Sequence, residues 1–446
     1  MSYRILLIIF GFLLIPNQTT AQDKLVLTLD ASIRLGWENS RKLKSAAYDY
    51  SAAEAKSRES FSEMLPSLTF SGKYAQLSEV PPFSVEMGLP APFPQEITIS
   101  EAILDYYSLK LTVQQPLFTG FRLKHLSASA KYDASAAEWA CQTAENELRW
   151  EIASAFWQLY KMQEYQKVFA KNLTMLDAHL KDAENFYRQG LVTKDELLKV
   201  ESQRASAKLL LLKSENSVAM ANLILKNKIG LELDAVVEIQ AESALPENSL
   251  ASTYTAKEMA LENRPELKAL DNKLLSVKAL SAASASGYYP QIFLSGNYYY
   301  ENPHQRYMPA EDEFHDSWDV GIGLSYTLWN WGKTSRQRQQ TISMYKKTQE
   351  TVKEMRDGII LEVTQSKLEL EQAVQQNIAA RQALDAAEAS YKIVGELYQQ
   401  GMTLNSEMLD AESALLKAQI DYQSILADYQ IAAAKFRRAA GINTEY

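Results

Sequence analysis

The sequence predicts a mainly helical fold carrying a minority of membrane-spanning β-strands, assembled from one structural unit used twice. Three observations predict it. The segment YRQGLVTKDELLKVES at 187–202 returns as YQQGMTLNSEMLDAES at 398–413, an offset of 211 residues. Residues 122–187 contain no proline or glycine across 66 positions, and their copy at 333–398 is interrupted only by Gly358 and Gly395. Between such runs the hydrophobic period switches from helical to two, the period of a strand with one apolar face.

Repetition on this scale constrains the fold before any local motif does. From Tyr187 to Gly230 the 211-residue frame never slips, pairing Tyr187 with Tyr398, Gly190 with Gly401, Glu196 with Glu407 and Glu201 with Glu412. Earlier in the chain the offset is 224, matching LPSLTFSGKY at 65–74 with YPQIFLSGNY at 289–298. The first copy therefore holds a 13-residue excess between Tyr74 and Tyr187.

In chain order, Arg4, the 11-residue apolar run 5–15, Pro16 and a polar stretch to Ala21 have the layout of an export signal, residues 1–21, removed after Ala21. The run is about half the ~20 residues a spanning helix needs. The first repeat is expected at 22–230, with a helix at 41–64, a β-hairpin at about 67–118, a long helix at 122–187 and a further helix at 194–228. A proline-containing connector at 231–253 follows. The second repeat, 254–441, is expected to place its helix at 265–287, its hairpin at about 291–329, its long helix at 333–398 and its last helix at 405–440, leaving a tail at 442–446.

Each long helix would measure about 100 Å, and a 24-residue and a 35-residue helix stacked end to end span about 90 Å beside it. Phe169, Leu173, Leu176, Leu180, Ala183 and Tyr187 are spaced alternately four and three apart, a heptad seam that requires a lateral neighbour.

In the first hairpin Tyr107, Leu109, Leu111 and Val113 alternate with Ser108, Lys110, Thr112 and Gln114. In the second, Trp318, Val320, Ile322, Leu324, Tyr326 and Leu328 alternate with Asp319, Gly321, Gly323, Ser325 and Thr327. Two weaker patterns, Leu68/Phe70/Tyr74 and Ile292/Leu294/Tyr298/Tyr300, complete four strands of ~10 residues, the length of an outer-membrane strand facing lipid on one side and water on the other. Four strands cannot close a barrel, and lipid does not tolerate an open edge. The chain must oligomerise, and the pattern alone leaves eight and twelve strands equally open.

The formal charge of -9 is spread along the chain, so there is no electrostatic footprint for nucleic acid. Cys141 is the one cysteine and lies in a helical pattern, as a packed side chain would. The histidines, His125, His179, His304 and His315, stand in unrelated settings without metal-ligand spacing, and no nucleotide or nucleophile motif is present. Catalytic residues, a metal and a cofactor are not expected.

The ordered set of features resembles the TolC-like outer membrane efflux proteins over 25–441. It comprises the duplicated unit, the strand-to-helix junction QPLFTGFR at 115–122 with its copy YTLWNWGK at 326–333, and the turns QGLVT and QGMTL between paired helices. The resemblance implies a homotrimer with a 12-stranded β-barrel in outer-membrane lipid that continues into a periplasmic α-helical barrel. It further implies a passive exit duct coupled to an inner-membrane transporter through a periplasmic adaptor protein.

On that resemblance Ser108, Lys110, Thr112, Gln114, Asp319 and Ser325 would face the pore. The two turns would form the periplasmic tip, with Gln189, Gly190, Leu191, Val192, Gln400, Gly401 and Met402 as the adaptor-docking surface. Glu407 and Asp410 would supply an acidic gate, with Tyr398 and Glu196 as a paired lock. The chain departs from the family pattern at Thr403, where a basic locking residue is expected. A simpler reading of Thr193 and Glu196 is a helix-capping box. An exported coiled-coil scaffold without a pore is the alternative to the duct.

Overall fold

A computed structural model describes residues 25–88, 92–94, 96–100, 102–241 and 253–442, so the export signal expected at 1–21 lies outside the described residues. The chain begins with β1 (Leu25–Leu27), α1 (Leu29–Asn39) and α2 (Arg41–Ser62), followed by strands β2 (Ser67–Gln76), β3 (Phe83–Glu86), β4 (Glu96–Ser100) and β5 (Asp105–Phe118). Next come α3 (Arg122–Arg188), α4 (Lys194–Ile229), β6 (Val237–Ile239), α5 (Thr253–Asn263) and α6 (Pro265–Ala283). A short 3₁₀ segment, Ser284–Tyr288, leads to β7 (Gln291–Asn302), β8 (His315–Ser325), α7 (Lys333–Gln399) and α8 (Asn405–Ala439).

The contacts divide the chain into two units. One is drawn from Met1–Arg41, Glu145–Ala256 and Val363–Tyr446, the other from Lys42–Ala144 and Lys257–Glu362.

In the first unit four helix segments lie in the order α4, α3, α8, α7, and cross-helix ion pairs mark each seam. Lys228 meets Glu151 at 2.7 Å between α4 and α3, and Lys161 meets Asp428 at 2.9 Å and Arg438 meets Glu147 at 2.7 Å between α3 and α8. Lys435 meets Glu369 at 2.6 Å between α8 and α7. Between these polar margins Ile152, Phe156, Leu159, Leu176, Val200, Leu225, Val363 and Ala427 are buried. The outermost helices keep apolar side chains exposed: Leu209, Leu212 and Met220 on α4, and Leu368, Ile378 and Ile393 on α7. Among the described residues nothing covers these side chains of the outer helices.

Two features of this unit were not expected. Residues 29–39 form a helix, capped by the Thr28 hydroxyl accepting from the Ala31 amide at 3.2 Å, and the Trp37 ring lies 4.9 Å from the Arg149 guanidinium. The described part of the 231–253 connector contributes β6, which pairs parallel to β1 in the register Leu25↔Val237. Three-residue strands leave no readable period, which is why the sequence pattern missed them.

The second unit holds a sheet in the order β2-β5-β7-β8, antiparallel throughout. The copies meet through β5 and β7, with Leu111↔Tyr298 in register, and β2 and β8 are left as the two edges. In the same unit α6 packs on α3 through a Ser129–Ser276 hydroxyl pair at 2.9 Å and a Lys273–Asp133 ion pair at 2.9 Å.

The second hairpin's strand ends at Ser325, short of the alternation expected through Leu328. Leu328, Trp329 and Trp331 are all exposed, and Trp331 has a φ of 56° that no strand accommodates. The helix expected at 265–287 gives way at Ser284 to the 3₁₀ segment. A small antiparallel pair, β3 with β4, lies in the segment between β2 and β5.

Candidate functional site

The turn after each long helix is built the same way. Gly190 and Gly401 both have a φ of 72°, the left-handed region that costs other residues about 1–2 kcal/mol. In the first turn the Gly190 amide donates to the Tyr187 carbonyl at 2.9 Å and the Leu191 amide to the Phe186 carbonyl at 2.9 Å. In the second, Gly401 donates to Tyr398 at 2.9 Å and Met402 to Leu397 at 2.8 Å. These are paired Schellman bonds, which satisfy carbonyls that the helix end would otherwise orphan. A side chain at either glycine would meet open space, so backbone conformation alone selects glycine. Gln189, Leu191, Gln400 and Met402 are exposed beside them and Val192 is half-buried.

The helix starts that follow differ. In α4 the Thr193 hydroxyl accepts from the Glu196 amide at 3.3 Å while the Glu196 carboxylate accepts from the Thr193 amide at 2.8 Å, a complete capping box. In α8 the cap position is Leu404, which has no side-chain oxygen to offer. Thr403 compensates differently, donating its hydroxyl to the Glu407 carboxylate. Glu407 and Asp410 are exposed, three residues apart on the early part of α8.

Tyr398 is 4% exposed, although its copy-mate Tyr187 is 42% exposed. Its hydroxyl does not reach the Glu196 carboxylate, which the capping box holds; it donates to Asn405 Oδ1 at 3.3 Å. The expected Tyr398–Glu196 lock is thus replaced by an indirect link, in which Asn405 Nδ2 donates to the Glu196 backbone carbonyl at 3.3 Å. The cause is local: a carboxylate at the third position of a helix folds back onto its own cap. Burial, with the nearby negative charges of Asp182, Glu196 and Glu412, pushes the Tyr398 phenol up to about 12.

Three members of this cluster, His179, Asn405 and Glu412, were not among the site residues read from the sequence. His179, on α3, places Nδ1 3.0 Å from Glu412 Oε2 and Nε2 2.9 Å from Asn405 Oδ1, with its ring edge-on to Tyr398 at 4.9 Å between centroids. Both side chains of the His179–Glu412 pair are almost fully buried, at 1% and 3% exposure. Comparison of the copies could have pointed to it, because His179 corresponds to Ser390 and the pair has no counterpart at Ser390 and Glu201.

On the sheet, the polar residues fall in register on one face. Thr112 Oγ1 donates to Asn297 Oδ1 at 2.9 Å and Asn297 Nδ2 to Asp319 at 2.9 Å, a continuous rung across three strands. Ser108 donates to Glu301 at 2.7 Å, and Lys110 lies over the Tyr299 ring at 5.0 Å. Gln114 pairs with Ser295 and Ser325 with Gln291 on the same alternation. The opposite face carries Phe70, Trp318, Val320, Ile322 and Leu324, each between 66% and 70% exposed. Such a contiguous apolar surface marks a partner or a membrane rather than water. No helix of the described residues is long and apolar enough to cross a membrane.

A family model described as outer membrane efflux protein matches residues 33–231 and 257–442. No curated protein matches the sequence. The fold resembles that of the outer membrane protein VceC from Vibrio cholerae, with a TM-score of 0.77, 18% identity and coverage of 93% of this chain and 96% of that one. It also resembles the Campylobacter jejuni CmeC outer membrane channel, at a TM-score of 0.78 and 15% identity, covering 93% of this chain and 85% of that one. The open state of the Neisseria gonorrhoeae MtrE outer membrane channel matches at a TM-score of 0.75 and 16% identity, covering 93% and 88%.

Proposed function

The chain belongs to the outer membrane efflux protein family, and from that premise we propose that three copies form a passive exit duct coupled to an inner-membrane transporter through a periplasmic adaptor. One observation carries the oligomer. The sheet has a lipid-compatible apolar face, a hydrogen-bonded polar face, and an unpaired edge on each side at β2 and β8. Edge pairing of β8 with β2 of the next copy removes every open edge at once, and three such sheets supply twelve strands. The exposed apolar margins of α4 and α7 support the same step in the helical unit, since each would cover the other across the copy boundary.

In this assembly the Thr112–Asn297–Asp319 rung lines the water-filled barrel, and Glu407 with Asp410 forms the acidic periplasmic gate. Tyr398 and Glu196 act around it, through Asn405 rather than by direct contact. Gln189, Gly190, Leu191, Val192, Gln400, Gly401 and Met402 form the surface that meets the adaptor, supported by the exposure of Leu191 and Met402 at 67% and 70%. The duct performs no chemistry; the transporter supplies the energy. Its kinship is with channels.

The test is reconstitution of the purified protein in a planar bilayer, with parallel electrophoresis before and after heating. A conducting, heat-sensitive trimer is expected. A monomer extracted by carbonate and silent in the bilayer would sink the duct and favour the soluble scaffold. For the gate, Glu407→Ala with Asp410→Ala is expected to relieve block by multivalent cations, and unchanged block would remove both residues from it.

A further inference from the structure

The hydrogen bonds around His179 count its protons. Asn405 Nδ2 donates to the Glu196 backbone carbonyl, so the amide cannot be turned round without setting two acceptors against each other; its Oδ1 therefore faces His179 Nε2 at 2.9 Å. The same Oδ1 accepts from Tyr398. Nε2 consequently bears a hydrogen. On the other side of the ring, Nδ1 stands 3.0 Å from a carboxylate oxygen of Glu412, and that bond also requires a proton, whichever of the two atoms carries it. A neutral histidine beside an ionised Glu412 is one proton short.

The rest of Glu412 makes that proton structurally important. Its Oε1 is buried and has no hydrogen-bond partner among the described residues, so no other contact offsets the carboxylate. A cavity of about 230 Å³ beside His179 and Tyr398 is lined by Asp182 of α3 and by Tyr391, Lys392 and Glu396 of α7. Glu196, at the start of α4, contributes a further negative charge that the Tyr398 phenol feels. Carboxylates from every packed helix thus surround the ring, with Lys392 the opposing cation.

We propose that His179 and Glu412 form a one-proton latch that fastens the α7–α8 turn to α3, so that rising pH releases the turn and the release expels the proton. The regulatory reading rests on the periplasmic gate proposed above; the latch itself does not. Its sign follows from proton counting. The fastened state holds one proton on the pair, whereas a histidine released to water has an ordinary pKa of about 6.5 and is largely neutral above it. Acidic medium therefore keeps the turn fastened, and the opening equilibrium should rise by up to about tenfold per pH unit while the released state carries one proton fewer.

The test uses the purified full-length protein in detergent, with hydrogen exchange of the segment 396–410 followed from pH 7 to pH 9 and corrected for the intrinsic effect of pH on amide exchange. A residual one-proton slope is expected in the wild type, with segment 185–199 as the internal reference. His179→Gln and Glu412→Gln should each abolish the slope, since either removes the titrating pair while preserving volume. A flat corrected profile in the wild type would overturn the latch, as would the same slope in His179→Gln. Single-channel recordings over the same range separate the two readings. If the exchange slope is present and conductance does not change with pH, the latch stands and the gate assignment of this tip falls.

Discussion

The two helix turns at the tip share a backbone and differ in almost every side chain that fixes it in place. The turn at Gly190 is self-sufficient: its capping box satisfies the start of α4 locally, and Tyr187 stays in contact with solvent. The turn at Gly401 lacks that cap and leans on another helix, through Tyr398, Asn405, His179 and Glu412. A locally stabilised turn keeps its shape whatever its neighbours do. One held by a buried polar network across helices depends on every partner in that network staying in place. The two copies keep the same turn backbone, and a few side-chain differences make one of them depend on a neighbouring helix.

The largest test of that contrast is truncation of the latch. His179→Ala leaves Glu412 buried without its partner, and breaking a buried pair from one side costs about 3–5 kcal/mol. Hydrogen exchange in 396–410 is expected to accelerate by two orders of magnitude or more, while Ser390→Ala, the copy-equivalent change, leaves 185–199 unaltered. Equal, small effects at both sites would mean that the second turn is no more dependent on its neighbours than the first.

Below this lies a change expected to act on both turns alike. Gly190→Ala and Gly401→Ala each force an alanine into the left-handed region, at about 1–2 kcal/mol, with space for the new methyl group in both cases. Thermal unfolding of the protein should shift downward by similar amounts. A much larger effect at Gly401 would place the asymmetry in the backbone as well as in the side chains.

Tyrosine substitution should again separate the copies. Tyr398→Phe gives up one buried hydrogen bond, about 1 kcal/mol, and Tyr187→Phe gives up none that the structure shows. The pH dependence sharpens this. Because the folded-state pKa of Tyr398 stands at about 12, above the ordinary value of about 10, its contribution is fully present below pH 10 and is lost as pH rises toward 12. Alkaline loosening of 396–410 in that window, absent from Tyr398→Phe, is the expected result.

What the sequence revealed and what it concealed follow the same division. The 211-residue frame located both turns and both long helices, and the period-two alternation located the strand faces, because these depend on local propensity and on short-range periods. The Tyr398–Asn405–His179–Glu412 cluster was hidden because His179 belongs to the first copy and Glu412 to the second, 233 residues apart, and neither the helical period nor the repeat relates them. Glu196 was legible in its bland role, as a cap, because a capping box spans only four residues. The lock with Tyr398, read from family resemblance, depended on a side-chain direction that the cap itself decides.

The smallest effect tests whether one residue separates the two designs. Leu404→Thr places a hydroxyl at the cap position with Glu407 three residues on, recreating in α8 the Thr193–Glu196 arrangement of α4. A gained cap contributes about 0.5–1 kcal/mol, so the turn should exchange slightly more slowly. The functional consequence is larger than the energy. To complete the box, Glu407 must turn its carboxylate from Thr403 to the backbone amide of the cap position, drawing it back toward the main chain. If Glu407 belongs to the gate, multivalent-cation block in single-channel recordings should weaken in Leu404→Thr even though no charge has been removed. Unaltered block together with slower exchange would show that the cap formed and that Glu407 has no part in the gate, leaving Asp410 to carry the acidic ring alone.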